Sequence, residues 1–552
     1  MPVINFNFND LVGLMGKDLP SSVVLERIPM IGADLHEFDA ATGETSIEFF
    51  PNRPDLYSVE GVARALRAFM DLDPGLRTYP TKDSGIILKV EDSVNEVRPY
   101  VVAAVIKNVV MTDQIIRSLM ELQEKLHLTV GRKRVKVAIG VHDLDKVTPP
   151  FVYKGAEPNS VSFVPLAKDV RMTMYEVLEK HEKGVAYRSI LEGKPLYPVI
   201  LDVNGEVLSF PPIINGCLTT VTSETKNIFI DVTGMDEVTI NGVLNIVTTS
   251  IAERGGDIET VSVVRGRKKD VTPRLEPGLW KIDIAAANKW LGLDLDADAM
   301  AKCLARMGYA AEGKGKKLIV HSSAVRMDLI HPHDVIEDIA IGYGYEHFGK
   351  VLPKTQTIGS ERPIERAADL VRQLMVGYGF WEATTLTLTS KEDQFLHMRV
   401  SEEEVVEVLN PVSEDHTCLR LRLMPSLLAV LRKSKHRDLP QRIFEVGDVV
   451  VGAKRRKNLA VMAIHSKAGF TEMKSVVEGV MRDLSVKFDL EPLDSGMYIQ
   501  GRGASVLVNG KCVGSFGELH PEVITAFELG YPVIAFEVNL DVLVEGKVGK
   551  IF

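Results

Sequence analysis

Apolar residues recur at helical spacing in Val59, Val62, Ala63, Leu66 and Phe69, and Asp73-Pro74-Gly75 breaks the run, so a first α/β module over residues 1–75 is expected. The strand-like run Ile86 to Val90 opens a second segment. Thr112 then caps a predicted helix whose face carries Ile115, Ile116, Leu119, Leu122 and Leu126. Further on, Val199, Leu201 and Val203 alternate ahead of Asn204-Gly205, a pair that tolerates positive φ, which predicts a hairpin over Tyr197 to Phe210 stopped by Pro211-Pro212. Between Asp236 and Arg254 the pair Asn241-Gly242 admits a turn. Val243, Leu244, Val247 and Ile251 favour a helix instead, ended by Gly255-Gly256. These elements make an α+β domain over residues 76–265.

The basic, Pro-containing stretch Arg265 to Gly278 reads as a linker. Two short helices follow, around Ala285 to Trp290 and Ala297 to Met307, with strands near Tyr309 and Leu318, so residues 275–352 are expected to form a winged-helix-like module. Past Pro353 to Pro363, a long amphipathic helix from Ile364 to Tyr378 leads into strands and helices that include an Asn509-Gly510 hairpin. Residues 360–552 therefore predict an antiparallel sheet backed by helices.

At 552 residues the chain has room for three to five domains, and 45% hydrophobic with 25% charged residues is ordinary globular composition. Met1 to Gly16 carries Asn5, Asn7, Asn9 and Asp10 and does not read as a signal peptide. Neither a membrane span nor a paired-cysteine framework is legible. Cys217, Cys303, Cys418 and Cys512 lie far apart, which suits a reducing, cytoplasmic compartment. The net charge of -10 excludes a protein that grips nucleic acid over its whole surface. Local contact is left to Gly131-Arg132-Lys133-Arg134-Val135-Lys136, Arg265-Gly266-Arg267-Lys268-Lys269 and Lys454-Arg455-Arg456-Lys457, each of which reads first as a solvated basic turn.

Two constellations carry candidate chemistry. In Arg326 to Asp338, a helix opening near Asp334 puts Glu337 and Asp338 on its face, and Asp328 reaches in from the preceding strand. Such a set suits Mg²⁺ or, equally, an acidic first turn complementing the helix dipole. The second combines Ser209 and Asn215 with Asp231, Thr233 and Asp236 at a strand-to-helix turn, suited to an ester or its attacking water. Its alternative is an ordinary helix cap by Thr233 or Asp236. No phosphate-binding G-x-x-x-x-G-K-[ST] loop, H-E-x-x-H or G-x-S-x-G occurs.

Along nearly its whole length the chain resembles the beta subunits of phenylalanyl-tRNA synthetase in their shorter archaeal and eukaryotic form. The marks are Pro51-Asn52-Arg53-Pro54-Asp55-Leu56-Tyr57-Ser58, Gly140-Val141-His142-Asp143-Leu144-Asp145, Phe210 to Gly216, the carboxylate run into Tyr343-Gly344-Tyr345, and Arg442-Ile443-Phe444-Glu445-Val446-Gly447. The resemblance implies that residues 76–265 are an editing domain hydrolysing Tyr-tRNA(Phe), with Asp231, Thr233 and Asp236 at its pocket and Ser209 and Asn215 in support. Such sites are thought to place substrate and water rather than use a covalent nucleophile. It also implies Mg²⁺ at Asp328, Asp334, Glu337 and Asp338, shared with a catalytic alpha subunit in an (αβ)₂ heterotetramer that acts on tRNA(Phe) and uses ATP at the alpha-subunit site.

The fourth segment resembles a class II synthetase core, and Arg442-x-x-Glu445 echoes its ATP-binding strand. No arginine follows Arg502 to hold the ATP phosphates, so this core is expected to be catalytically inactive. Against the bacterial form, neither an added N-terminal tRNA-binding domain nor a C-terminal anticodon-binding domain is expected. Two rival readings remain: a self-sufficient class II synthetase, and a scaffold with a vestigial pocket.

Overall fold

Ser58 accepts the Gly61 amide at 3.2 Å and so starts the helix Val59–Phe69, whose predicted apolar face is buried. That face shares one core with the three-stranded antiparallel sheet of Val3–Asn7, Glu44–Phe49 and Ala33–Phe38. The computed structural model describes residues 2–352 and 359–544. The chain forms two units, Met1–Val351 and Leu352–Phe552. Residues 353–358 of the expected Pro353 to Pro363 connection and the tail 545–552 lie outside the described residues.

In the first unit a ten-stranded mixed sheet is central. Its strand Ile228–Gly234 runs between Tyr100–Lys107 and Val137–Asp143, antiparallel to both. The strand's period of two divides its side chains. Ile228, Ile230 and Val232 pack with the helices Asp113–Leu128 and Glu237–Ala252, whereas Phe229, Asp231 and Thr233 point to the other face. Thr112 caps the first of these helices as expected, by accepting the Ile115 amide at 3.3 Å. The predicted hairpin is present as Tyr197–Leu201 and Val207–Phe210, with Gly205 at φ 82°.

The expected linker Arg265 to Gly278 is instead strand over half its length. Asp257–Arg265 turns at Gly266, φ 55°, and returns as Lys268–Thr272. No apolar alternation marks this edge strand, since Lys268, Lys269 and Asp270 are charged and Val271 is exposed. Gly278–Asp283 is a further strand that the sequence pattern missed. It pairs with Lys317–Ser322, which pairs with Ala310–Lys314, and the helices Ile284–Leu291, Ala297–Arg306 and Pro332–Tyr343 share their core.

The second unit holds a seven-stranded sheet, antiparallel except where the short strand Trp381–Glu382 lies parallel to Gln441–Val451. The apolar run Leu459 to Ile464 is buried on both faces. Leu459, Val461 and Ala463 meet the helices Pro363–Gly377 and Phe470–Asp483, while Ala460, Met462 and Ile464 meet Met424–Lys433. Asn509 and Gly510, at φ 52° and 74°, make the expected two-residue turn between Tyr498–Val508 and Lys511–Leu519.

Candidate active site and candidate cation site

The strands Ile228–Gly234 and Val137–Asp143 floor a cavity of about 590 Å³, walled by Val207–Phe210, Pro211 to Gly216 and the helix Asp113–Leu128. Because Asp231 and Thr233 are two residues apart in a strand, both reach it. Ser209 and Asn215 come from the opposite wall, brought into register by direct pairing with each other. Four of the five predicted residues therefore line one cavity.

The fifth does not. Asp236 caps the helix Glu237–Ala252 by accepting the Thr239 amide at 3.0 Å, and it pairs with Lys136 at 3.3 Å. That backbone hydrogen bond holds its carboxyl below the usual range. Its three-residue offset from Thr233, across the strand end, turns it away from the cavity. Asp231 and Thr233 also sit within the strand rather than at the strand-to-helix turn.

Sequence reasoning missed the groups that fix this floor. His142 Nε2 lies 2.7 Å from Asp231 Oδ1, and its Nδ1 is 2.8 Å from Thr219 Oγ1, with all three side chains buried. Gly140 stands opposite Asp231 in register, and a Cβ there would lie 2.2 Å from Asp231 Oδ1. Thr233 Oγ1 accepts from Arg98 Nε at 2.9 Å and its carbonyl accepts from Arg98 Nη2 at 2.8 Å. Burial lowers the Arg98 pKa to about 10. Among the described residues Ser209 Oγ has no hydrogen-bond partner, and it is buried.

A second layer sits at one end of the cavity. Arg134 donates to the Ile213 carbonyl at 2.9 Å and to Glu124 at 3.2 Å, and its guanidinium lies 4.6 Å from the centre of the Tyr187 ring. Glu124 is pulled down to about 2 by His127, whose Nδ1 stands 3.7 Å away, helped by Arg134. Burial brings His127 down to about 4, so it is neutral, and its Nε2 accepts the Ile139 amide at 2.8 Å. The signal for His142 was present: a polar residue two positions from Gly140, directly after the apolar run Val137 to Val141 and still within the strand. With one His142 nitrogen on Asp231 and the other on Thr219, neither is left to activate a serine or cysteine. The arrangement holds a carboxylate, hydroxyls and an amide against an apolar wall, suited to placing an ester and a water.

The carboxylate cluster lies elsewhere in the first unit, around a cavity of about 620 Å³ lined by Asp328, Asp334, Glu337, Asp338, Arg53, Arg326 and Tyr345 among others. The four acids are not an open convergent set, and Asp328 lies on the irregular stretch after the strand Lys317–Ser322, not on a strand as expected. Arg326 forks onto Asp328 at 2.8 and 2.7 Å and reaches Asp338 at 2.7 Å, while Tyr309 donates to Asp338. Asp334 accepts the Ile330 and His331 amides, both at 2.7 Å, at the start of the helix Pro332–Tyr343.

Burial, then the nearby charges of Asp338 and Asp334, raises Glu337 above its ordinary value. Among the described residues, three metal-ligating atoms come within 4.8 Å of one another at Asp34, His36 and Glu48, a largely exposed set on the N-terminal sheet, and not in this cluster. Four carboxylates face one Arg326 here, since Arg53 is taken by Asp55 at 2.8 Å. This all-oxygen set and its surplus of negative charge fit a hard divalent cation through Asp334 and Glu337, with Asp328 and Asp338 joining only by sharing Arg326.

The phenylalanyl tRNA synthetase beta chain CLM domain family matches residues 349–540, the tRNA synthetase B5 domain family residues 280–345, and the B3/4 domain family residues 98–264. A phenylalanine-tRNA ligase beta subunit from Archaeoglobus fulgidus is 46% identical over 98% of both chains. One from Methanocaldococcus jannaschii is 41% identical over 98% of this chain and 100% of its own length. The crystal structure of an N-terminal fragment of the phenylalanyl-tRNA synthetase beta subunit from Pyrococcus horikoshii superposes with a TM-score of 0.61 at 36% identity, covering 62% of this chain and 100% of that one. The cavity floored by Asp231 falls inside the B3/4 match, the carboxylate cluster inside the B5 match. This chain belongs to the phenylalanine-tRNA ligase beta-subunit family.

Proposed function

We propose that this chain is the non-activating beta subunit of a phenylalanine-tRNA ligase, and that its own chemistry is the hydrolysis of Tyr-tRNA(Phe) in the cavity floored by Asp231 and Thr233. The observation that carries the reading is the buried polar floor itself. Asp231 is held by His142 and Thr233 by Arg98, facing an apolar wall of Phe210, Pro211, Pro212 and Ile213. An aromatic ring fits such a wall. Discrimination of tyrosine from phenylalanine then comes from a polar group that binds the phenol, because the analogue without it leaves that group unpaired. Asp231, Thr233, Asn215 and Ser209 place the ester and its water; Asp236, turned outward, serves as the helix cap.

The second unit supports a partner's chemistry. Arg442 and Glu445 are three residues apart on one strand and so occupy opposite faces of the sheet. Arg442 pairs with Glu472 at 2.8 Å and Glu445 with the buried Arg420 at 2.8 Å, so neither is free for ATP. ATP-dependent charging of tRNA(Phe) belongs to an alpha subunit joined in an (αβ)₂ heterotetramer in the cytoplasm. Among the described residues no helix is long and apolar enough to cross a membrane.

Mg²⁺, held by Asp334 and Glu337 with Asp328 and Asp338, is shared with that alpha subunit and offsets the repulsion of the four acids. Pyrophosphate exchange into ATP with phenylalanine tests the division of labour. The lone chain is expected to show none and the chain with its alpha subunit to show it; exchange by the lone chain refutes the reading.

A further inference from the structure

Three consecutive residues, Arg132, Lys133 and Arg134, the last of which lines the cavity, hold left-handed backbones with φ of 48°, 54° and 69°. L side chains resist that region, and none of the three is glycine, asparagine or aspartate. The loop is pinned there from both ends. Gly131 N donates to Leu126 O at 2.7 Å, Arg134 N to His127 O at 3.1 Å and Lys136 N to Gly131 O at 2.8 Å. Gly131 is required by the close approach: a Cβ would stand 2.7 Å from the carbonyl oxygens of both His127 and Val137.

The consequence is a division of cations. Arg134 turns into the cavity wall, bound to the Ile213 carbonyl and Glu124. Arg132 and Lys133 are exposed, and among the described residues neither side chain makes a hydrogen bond or ion pair. Lys168 and Lys183 line the same cavity. Arg132 and Lys133 directly precede Arg134 of the cavity wall, on a chain whose net charge is -10. Backbone strain held by its surroundings is a mark of function, and here it holds in place the backbone that carries two exposed cations next to Arg134.

We infer that Arg132 and Lys133 form a phosphate clamp for the 3′-terminal strand of an RNA whose terminal ester enters the cavity beside Arg134. The inference rests on the reading of that cavity as the site of Tyr-tRNA(Phe) hydrolysis. The clamp recognises phosphodiesters and carries no base specificity.

The test uses the full chain together with its alpha subunit. Asparagine tolerates left-handed backbone, so the double variant Arg132→Asn with Lys133→Asn removes charge while keeping the loop. Its KM for Tyr-tRNA(Phe) hydrolysis is expected to rise about tenfold with kcat within about twofold, and the dependence of log KM on log salt to flatten by about 1.4, two single-strand phosphate contacts. The charge-keeping exchange Arg132→Lys with Lys133→Arg is expected to stay within about twofold of the parent KM. An unchanged KM and salt slope, or a loss confined to kcat, overturns the clamp. Anisotropy of an uncharged CCA-ended acceptor minihelix separates the two ideas. A parent that binds the minihelix through these residues yet hydrolyses nothing supports the clamp and refutes the hydrolysis; equal binding by parent and Asn variant refutes the clamp alone.

Discussion

His142 Nε2 lies 2.7 Å from Asp231 Oδ1, with the two side chains 0% and 2% exposed. A buried carboxylate in this position depends on its one ring partner. His142→Ala is expected to cost about 3 kcal/mol of stability in this domain, because removing one member of a buried pair leaves the other uncompensated. Hydrolysis of Tyr-tRNA(Phe) is expected to fall about a hundredfold through misplacement of Asp231. Thermal unfolding and single-turnover deacylation read the two effects, and a variant within twofold of the parent in both contradicts the dependence.

Gly140 makes room for that pair. Since a Cβ at this position would stand 2.2 Å from Asp231 Oδ1 and 2.6 Å from His142 Nε2, Gly140→Ala must displace one of them. Deacylation is expected to drop at least about tenfold while amino-acid activation by the alpha subunit stays at parent level. Parent-level deacylation in this variant means that the Asp231–His142 geometry does not matter to the reaction.

His127 gives the domain a pH dependence. Its folded value of about 4 lies below the unfolded 6.5, mainly through burial, with Glu124 opposing and Arg134 and Arg98 adding to the effect. The unfolded chain therefore binds the extra proton between these values, so the contribution is complete above about 6.5 and is lost as pH falls toward about 4. By pH 5 the loss is about 2 kcal/mol. Denaturation of parent and His127→Gln at pH 7.5 and pH 5 isolates the effect: the parent should lose the larger part of its stability. Equal losses would falsify the assignment.

Much of the fold was legible because it follows from period alone. The helix Val59–Phe69, the Asn204-Gly205 hairpin and the helix Glu237–Ala252 all lie where apolar spacing and turn pairs put them. Charged edge strands were not legible: Lys268–Thr272 reads as a linker because its outward residues are solvated. At the site, Asp231, Thr233, Ser209 and Asn215 were found, and Asp236 was placed with them by proximity in sequence, although a strand end separates them. His142, Thr219 and Arg98 escaped because their partners lie 89, 77 and 135 residues away. The Arg326 fork was equally invisible, since a spacing of two says nothing of which acids a guanidinium will claim.

Glu337 tests the cation reading without disturbing the helix start, which Asp334 holds. Its raised pKa reflects burial beside Asp338 and Asp334, and a bound divalent ion relieves that repulsion. In the complex with the alpha subunit, Glu337→Gln is expected to weaken Mn²⁺ binding about tenfold in an equilibrium titration followed by spin resonance. Undiminished binding places the ion elsewhere.

On the function proposed, this polypeptide corrects and does not activate, and Asp231 is where it does so. Deacylation of purified Tyr-tRNA(Phe) by the assembled complex, parent beside Asp231→Ala, addresses it directly. The parent should release tyrosine and the variant at least about a hundredfold more slowly, with phenylalanine charging intact in both. Equal release by parent and variant, or none from the parent, contradicts the account.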